Sequence, residues 1–298
     1  MSARNSTTRL RWTWIDAVLI AVLALFFGFL FWRADSVFSY NWNWASVLPF
    51  IYRFDEAAGK WVPNLLMEGL LTTIRLALWG ILFAGVIGIV MGLARTSKRL
   101  FFRLIGTFYV MLIRNVPPLV FVFVFVFFIA SQIMPTLAMG ERVQALSPQA
   151  QQWITVFFGS PKLIDNFLLG LICLSVFSGA YVTEIVRAGI ESVPRSQIEA
   201  GDSLGFSKRD VMRFVVLPQA MRNTLPPMAG QLIQLIKDSS LVSLVSIQEL
   251  TFMAQDVQVS TQRVFEVFVL VAAIYFVICF TLSQLFSYLE RRHARANR

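Results

Sequence analysis

The sequence predicts an all-α integral membrane protein with about six transmembrane helices and both termini in the cytoplasm. Three observations lead there. Of 298 residues, 57% are hydrophobic and only 14% are charged, whereas a soluble globular chain carries about 25% charged residues. Six stretches are apolar over roughly the 20 residues that a membrane-spanning helix needs. The 26 Lys and Arg then divide unequally between the two sides that those spans define.

The same composition excludes several classes of function. Only two cysteines occur, Cys173 and Cys279, both inside apolar runs, so this is no disulfide scaffold. The single histidine, His293, leaves no basis for a His/Cys metal cluster or a histidine-based triad. There is no G-x-x-x-x-G-K-[ST] loop to cradle a phosphate. No catalytic residue, no metal and no resident cofactor are expected on this chain.

Taken in order, basic Arg9 and Arg11 precede the first span, Ala17–Trp32. A basic flank before a short apolar run also suits a cleaved signal peptide. The exit, Trp32-Arg33-Ala34-Asp35-Ser36, offers no small-x-small cleavage site, so the span is expected to be retained. Leu65–Ala94 is the second span. The third lies within Leu100–Met134, which is too long for one straight crossing. Arg114-Asn115-Val116-Pro117-Pro118 divides it, because proline interrupts helical hydrogen bonding. Phe101–Ile113 therefore reads as an interfacial or half-inserted helix, and Pro117–Met134 as the rest of the crossing. The Phe/Val run at 121–128 is expected to face lipid or an apolar helix partner. Phe167–Ile190, Met221–Ile247 and Val264–Phe286 complete the set. The outer loops at 33–64 and 135–165 read as partly ordered surface with room for short amphipathic helices. The organisation is an N-terminal tail, helix and outer loop over 1–64, a membrane domain over 65–290, and a basic cytoplasmic tail over 291–298.

Charge sets the orientation. With the termini inside, seventeen Lys and Arg are cytoplasmic, among them Arg4, Arg9, Arg11 and the tail's Arg291, Arg292, Arg295 and Arg298. Six are outside: Arg33, Arg53, Lys60, Arg142, Lys162 and Arg263. Arg75, Arg114 and Lys237 remain inside apolar stretches. The net charge of +9 is therefore topological, and no nucleic acid is expected as a partner. Trp12, Trp14, Trp32 and Trp61 flank spans where aromatic belts belong.

The cytoplasmic segment 192–218 is the most informative loop. Ser196 precedes Glu199 by three, a capping-box spacing that opens a short helix. Gly205 suits the left-handed position that ends it. Ser207 and Asp210 open a second helix, which Leu217-Pro218 is expected to stop. Helices this short are marginal in water and need a packing partner, either their own bundle or another protein.

These residues also carry a resemblance. Glu199-Ala200-Gly201, three residues, Gly205, nine residues, Val215, one residue and Leu217-Pro218 is similar to the cytoplasmic "EAA" loop of ABC importer permeases, E-A-A-x3-G-x9-I-x-L-P. Gly201 and Val215 depart mildly from that pattern. Gly69-Leu-Leu-Thr-Thr-Ile, Leu112-Ile-Arg-Asn-Val-Pro-Pro118, Gly179-Ala-Tyr-Val-Thr-Glu-Ile-Val-Arg-Ala188, Leu217-Pro-Gln-Ala220 and Lys237-Asp-Ser-Ser-Leu241 resemble the polar amino-acid branch, and the Leu112–Pro118 stretch looks most like its glutamate/aspartate or broad-range form. The resemblance implies a five-helix permease core plus an N-terminal helix in a bacterial inner membrane. It implies a second permease subunit, the same chain or a related one, two cytoplasmic ATP-binding subunits that hold ATP and Mg, and an extracytoplasmic amino-acid-binding protein. Glu199, Ala200, Gly201 and Gly205 would lie in the loop helix that enters a groove on the ATPase, and Leu217 and Pro218 would return the chain to the bilayer. Independently of the family, small residues at 200, 201 and 205 would let another surface approach closely.

Charged residues inside a membrane usually face a bundle interior or a cavity. Gln231, Gln234, Lys237 and Asp238 fall within one 120° sector of the fifth span at about 100° per residue. They either line a substrate route, with Lys237 attracting a carboxylate, or Lys237 and Asp238 neutralise each other as structural glue. Arg114 is expected to serve carbonyls freed by Pro117-Pro118, to snorkel, or to line a vestibule. Arg75 pairs with Glu68 on the same helix face or lines the route. Glu184 and Arg187 read as an i,i+3 pair, and Gly85, Gly88 and Gly92 as a close-packing helix face. An ion-coupled secondary transporter is the alternative; it would normally show inverted repeats, and no repeat is visible.

Overall fold

The computed structural model describes residues 13–37, 40–57 and 59–296, with the side chains of 30, 31, 34–37 and 293–296 left out. Arg4, Arg9, Arg11, Trp12 and Arg298 lie outside the described residues, as do the side chains of His293 and Arg295. The chain divides into two units, Met1–Asn43 and Trp44–Arg298.

The first unit is one helix, α1 (Trp14–Val37). Its start is fixed by Asp16, whose carboxylate accepts from the Thr13 N–H at 2.7 Å and the Thr13 hydroxyl at 2.8 Å. Its large apolar side chains from Trp14 to Phe29 are exposed, as suits a helix solvated by lipid.

The second unit begins with an antiparallel hairpin, β1 (Tyr52–Asp55) and β2 (Lys60–Pro63), in which Phe54 faces Trp61. Asn64 caps α2 (Leu65–Thr96), its carbonyl oxygen accepting from the Leu65 N–H at 2.9 Å. Then come α3 (Leu100–Arg114) and α4 (Pro118–Val124). The expected division at the prolines is present: Pro118 is the first residue of α4, where a missing N–H costs nothing. The crossing continues through a π-helical stretch, Phe125–Ala130, into α5 (Ser131–Leu137). Val122, Phe125 and Val126 are buried in the core, so the Phe/Val run is not a lipid face throughout; Phe127 and Phe128 are exposed.

The second outer loop contains α6 (Met139–Gln144) and α7 (Pro148–Phe158). Next is α8 (Ile164–Glu191), which packs along α2 and is buried over half its length. On the cytoplasmic side lie α9 (Arg195–Ser203) and α10 (Lys208–Asp210). A π-helical stretch, Val211–Val216, joins α10 to α11 (Leu217–Asp238). The chain ends with α12 (Leu250–Thr261) and α13 (Val264–Ala296).

Among the described residues, four helical stretches are long and apolar enough to cross a membrane: Leu65–Thr96, Pro118–Gln144, Pro161–Glu191 and Val264–Arg292. The expected fifth span is shorter and more polar than its sequence bounds implied. The α-helix stops at Asp238 instead of Ile247, and 3-10 turns carry the chain to Val245. The cause is local. The hydroxyls of Ser239, Ser240 and Ser243 donate to the carbonyls of Ile236, Lys237 and Ser240, three residues back, at 2.7–2.8 Å, which competes with the α-helical ladder. Ser246, at φ +62°, ends the turn.

The core lies where α2, α4, α8 and α11 meet, around Leu76, Val122, Phe167, Leu174 and Leu235. A second cluster, around Leu66, Leu250, Val257 and Val267, joins α2 to α12 and α13. Between them sits Glu249, fully buried. Its carboxylate accepts from the Tyr275 hydroxyl at 2.9 Å, the Phe252 N–H at 2.9 Å and the Thr73 hydroxyl at 3.3 Å. Glu249 caps α12 through the Phe252 N–H, and its other two donors come from distant parts of the sequence, which the pattern did not mark.

Candidate functional site

The segment 192–218 folds as two helices joined at a glycine, but not with the expected caps. Pro194 occupies the cap of α9, so the helix begins at Arg195 and Ser196 becomes an exposed helical residue that caps nothing. Gly205, at φ +80°, takes the left-handed position. The Gly205 N–H donates to Asp202 O and the Phe206 N–H to Gly201 O, at 3.0 and 3.2 Å, satisfying the last carbonyls of α9. Ser207 and Asp210 form the expected reciprocal capping box.

Glu199 and Ala200 are exposed on α9, whereas Gly201 is buried. A Cβ at Gly201 would meet Val211 Cγ2 at 3.1 Å. The glycine therefore serves packing within the chain and is not the open contact expected from its size. Val193, Val211 and Val216 form the small core beneath α9. Around it, Leu204 is 76% exposed and Phe214 60%, an apolar rim beside Glu199, Asp202, Lys208 and Arg209.

Leu217-Pro218 does not stop the second helix. The path runs without a break from Lys208 to Asp238. Pro218 lacks an N–H and would clash with the carbonyl four residues earlier; the wider π turn at 211–216, directly before it, relieves that conflict. Val211 and Val216 beneath α9 and the residues of the polar stripe thus belong to one helical path.

That stripe divides in two. Gln231 is only 9% exposed and donates to the Ser178 hydroxyl of α8 at 2.9 Å. Gln234 and Lys237 are exposed, and Gln234 donates to Asp238 at 2.8 Å. Lys237 and Asp238 form no ion pair within 4.0 Å among the described residues. Asn223, Pro227, Gly230, Gln234 and Lys237, spaced three and four apart, form a continuous exposed seam along α11.

At the inner end of this seam lies a cavity of about 400 Å³, lined by Arg114, Tyr181, Glu184, Asn223, Pro227 and Gln231 among others. Glu184 pairs with both Arg95 and Arg187, and Arg187 pairs with Glu191. The Glu184–Arg187 pair was legible from its spacing; Arg95 was not, because its partner lies 89 residues away. Arg114 stands 4.0 Å from Glu184 and 5.4 Å from the Tyr181 ring centroid.

Two further expectations change. Arg75 does not pair with Glu68. Its Nε donates to Val156 O at 3.0 Å while Trp79 donates to Phe157 O at 3.0 Å, so both satisfy carbonyls at the C-terminal end of α7. Gly88 and Gly92 pack against Val182 and Val186 of α8, but Gly85 faces open space.

The family model described as "Binding-protein-dependent transport system inner membrane component" matches residues 84–295. The probable glutamine ABC transporter permease protein GlnM of Bacillus subtilis (strain 168) is 30% identical over 232 residues, covering 77% of this chain and 93% of that protein. The L-cystine transport system permease protein TcyB of the same organism is 32% identical over 229 residues, covering 76% and 86%. A crystal structure of an amino acid ABC transporter with histidines superposes with a TM-score of 0.65 at 29% identity, covering 85% of this chain and 100% of that one.

Proposed function

We propose, from the fact that this chain belongs to the binding-protein-dependent transport system inner membrane component family, that it is a permease subunit of an ATP-driven importer of polar amino acids. A second permease, the same chain or a related one, completes the pathway in a bacterial inner membrane. Separate ATP-binding subunits hold ATP and Mg, and an extracytoplasmic binding protein delivers the substrate. The chain itself hydrolyses nothing.

The observation that carries this reading is the single helical path from Lys208 to Asp238. α9, with Glu199 and Ala200 outward and Gly201 seated on Val211, rests on the start of that path. Gln234 and Lys237 stand exposed near its far end. A partner that grips α9 and its apolar rim therefore moves the polar seam directly. Substrate passes along that seam, and Lys237 draws the carboxylate. Glutamine and cystine, for which two relatives are named, share with glutamate and aspartate the α-amino and α-carboxylate groups and a polar side chain, so all four belong in the panel.

The test is uptake by inside-out-controlled vesicles holding the whole transporter. ATP-dependent accumulation of one of these amino acids is expected, and Ala200→Asp should abolish it while the subunit stays in the membrane. Accumulation driven by an ion gradient without ATP, or an Ala200→Asp variant with normal transport, would overturn the reading.

A further inference from the structure

The geometry points to a second, inner station on the route: the cavity beside Arg114 holds the zwitterionic head of the amino acid, with its carboxylate on Arg114 and its ammonium on the backbone carbonyl of Asn223. This rests on the permease reading above and adds a site distinct from the Gln234–Lys237 seam.

Three guanidinium groups, Arg95, Arg114 and Arg187, surround one carboxylate, Glu184. Arg95 takes one oxygen and Arg187 the other. The Arg114 guanidinium comes no closer than 4.0 Å to Glu184 and donates no side-chain hydrogen bond among the described residues. It lies over Tyr181 at 5.4 Å, an arrangement that fixes the guanidinium plane without consuming its N–H donors. The donors are left for an anion, and a planar guanidinium meets a carboxylate through two parallel bonds.

The cation partner follows from sequence alone. In a helix, the carbonyl of residue 223 receives its bond from the N–H of residue 227, or of residue 226 in a tighter turn. Both positions are proline, so Asn223 O has neither donor. Asn223, Pro227 and Arg114 line one and the same cavity. An ammonium bearing three donors suits that carbonyl. A volume of about 400 Å³ admits an amino acid of any polar side chain, so this station reads the head group common to all and leaves selectivity to other surfaces.

The test uses the complete transporter in vesicles, with Cys173→Ala and Cys279→Ala, and a single reporter, Ala188→Cys, on the exposed rim of the cavity. The rate of labelling by a charged thiol reagent from the cytoplasmic side is measured. The probe is whichever of L-glutamine, L-glutamate, L-aspartate or L-cystine those vesicles accumulate with ATP. That amino acid should slow labelling, while its decarboxylated amine should not. In Arg114→Gln, protection should need roughly ten- to a hundred-fold more amino acid, as expected for a lost charged hydrogen bond, with the unliganded rate unchanged. Arg114→Lys, which keeps the charge, should fall between. Vesicles that accumulate the amino acid yet show no protection, equal protection by the amine, or full protection in Arg114→Gln would each overturn the station and leave the permease reading intact. Vesicles that accumulate none of the four with ATP would overturn both.

Discussion

Gly85 and Gly88 sit three residues apart on α2, and their alanine variants are expected to move stability in opposite directions. An ideal Cβ at Gly88 would stand 2.6 Å from Val182 Cβ and 2.9 Å from the Val182 carbonyl carbon. The second of these is backbone, and Val182 is fully buried in α8, so neither atom can move aside cheaply. At Gly85 nothing lies within 4 Å. Overpacking of this kind costs about 1–3 kcal/mol, whereas exchanging Gly for Ala inside a helix gains about 0.5–1 kcal/mol.

The helical gain is common to both sites and cancels in the comparison. Gly88→Ala should therefore be less stable than Gly85→Ala by about 1–3 kcal/mol. At about 2–4 °C per kcal/mol for a chain of this size, the difference is resolvable in thermal melts of the purified protein in detergent. Gly85→Ala should match or exceed the parent. A Gly88→Ala protein that melts with Gly85→Ala would refute the tight α2–α8 contact on which the core assignment rests.

Tyr275→Phe removes one of three donors to the buried Glu249 carboxylate and should cost about 1.5–3 kcal/mol in a melt, while a phenylalanine at Tyr288, an exposed residue, should cost nothing measurable. Glu184→Gln should lower stability by about 1–2 kcal/mol, and that loss should shrink in an Arg95→Gln background, because the two share one ion pair. Strict additivity of those two losses would show that Arg95 and Glu184 are not coupled.

What the sequence disclosed, and what it did not, follows the range of the interactions. The division at Pro117-Pro118, the helix start at Ser207 and Asp210, the left-handed Gly205 and the Glu184–Arg187 pair are local, and each was legible from spacing. Four of the expected spans were legible because apolar length is a one-dimensional property, whereas the fifth was drawn too long because its serines end the α-helix at Asp238. The errors arose where a neighbour in space decided the outcome. Pro194 displaced the cap expected at Ser196; Val211 claimed Gly201; the last carbonyls of α7 claimed Arg75. The polar sector of α11 was found by periodicity, but only contact with Ser178 shows that Gln231 turns inward. Glu249 and its donors escaped altogether, since Thr73 and Tyr275 lie 176 and 26 residues away.

Lys237 offers the most direct trial of what covers the exposed seam. An ammonium inside a membrane costs about 2.5–3.5 kcal/mol on insertion scales, and Lys237 is exposed on the surface of this chain with no ion-pair partner among the described residues. Were lipid to cover that face, Lys237→Met would remove the penalty, and the variant should melt higher and accumulate to a greater level in the membrane. Were water or a second permease's polar face to cover it, as the permease reading requires, the ammonium is already solvated. Methionine then gains little, and the melt should stay within about 0.5 kcal/mol of the parent, the usual range for a surface substitution. Uptake should nevertheless fall, because the charge that draws the carboxylate is gone. Stability and uptake therefore move independently under one reading and not under the other. A Lys237→Met protein that is more stable and transports normally would place this face toward lipid and remove the seam from the substrate route.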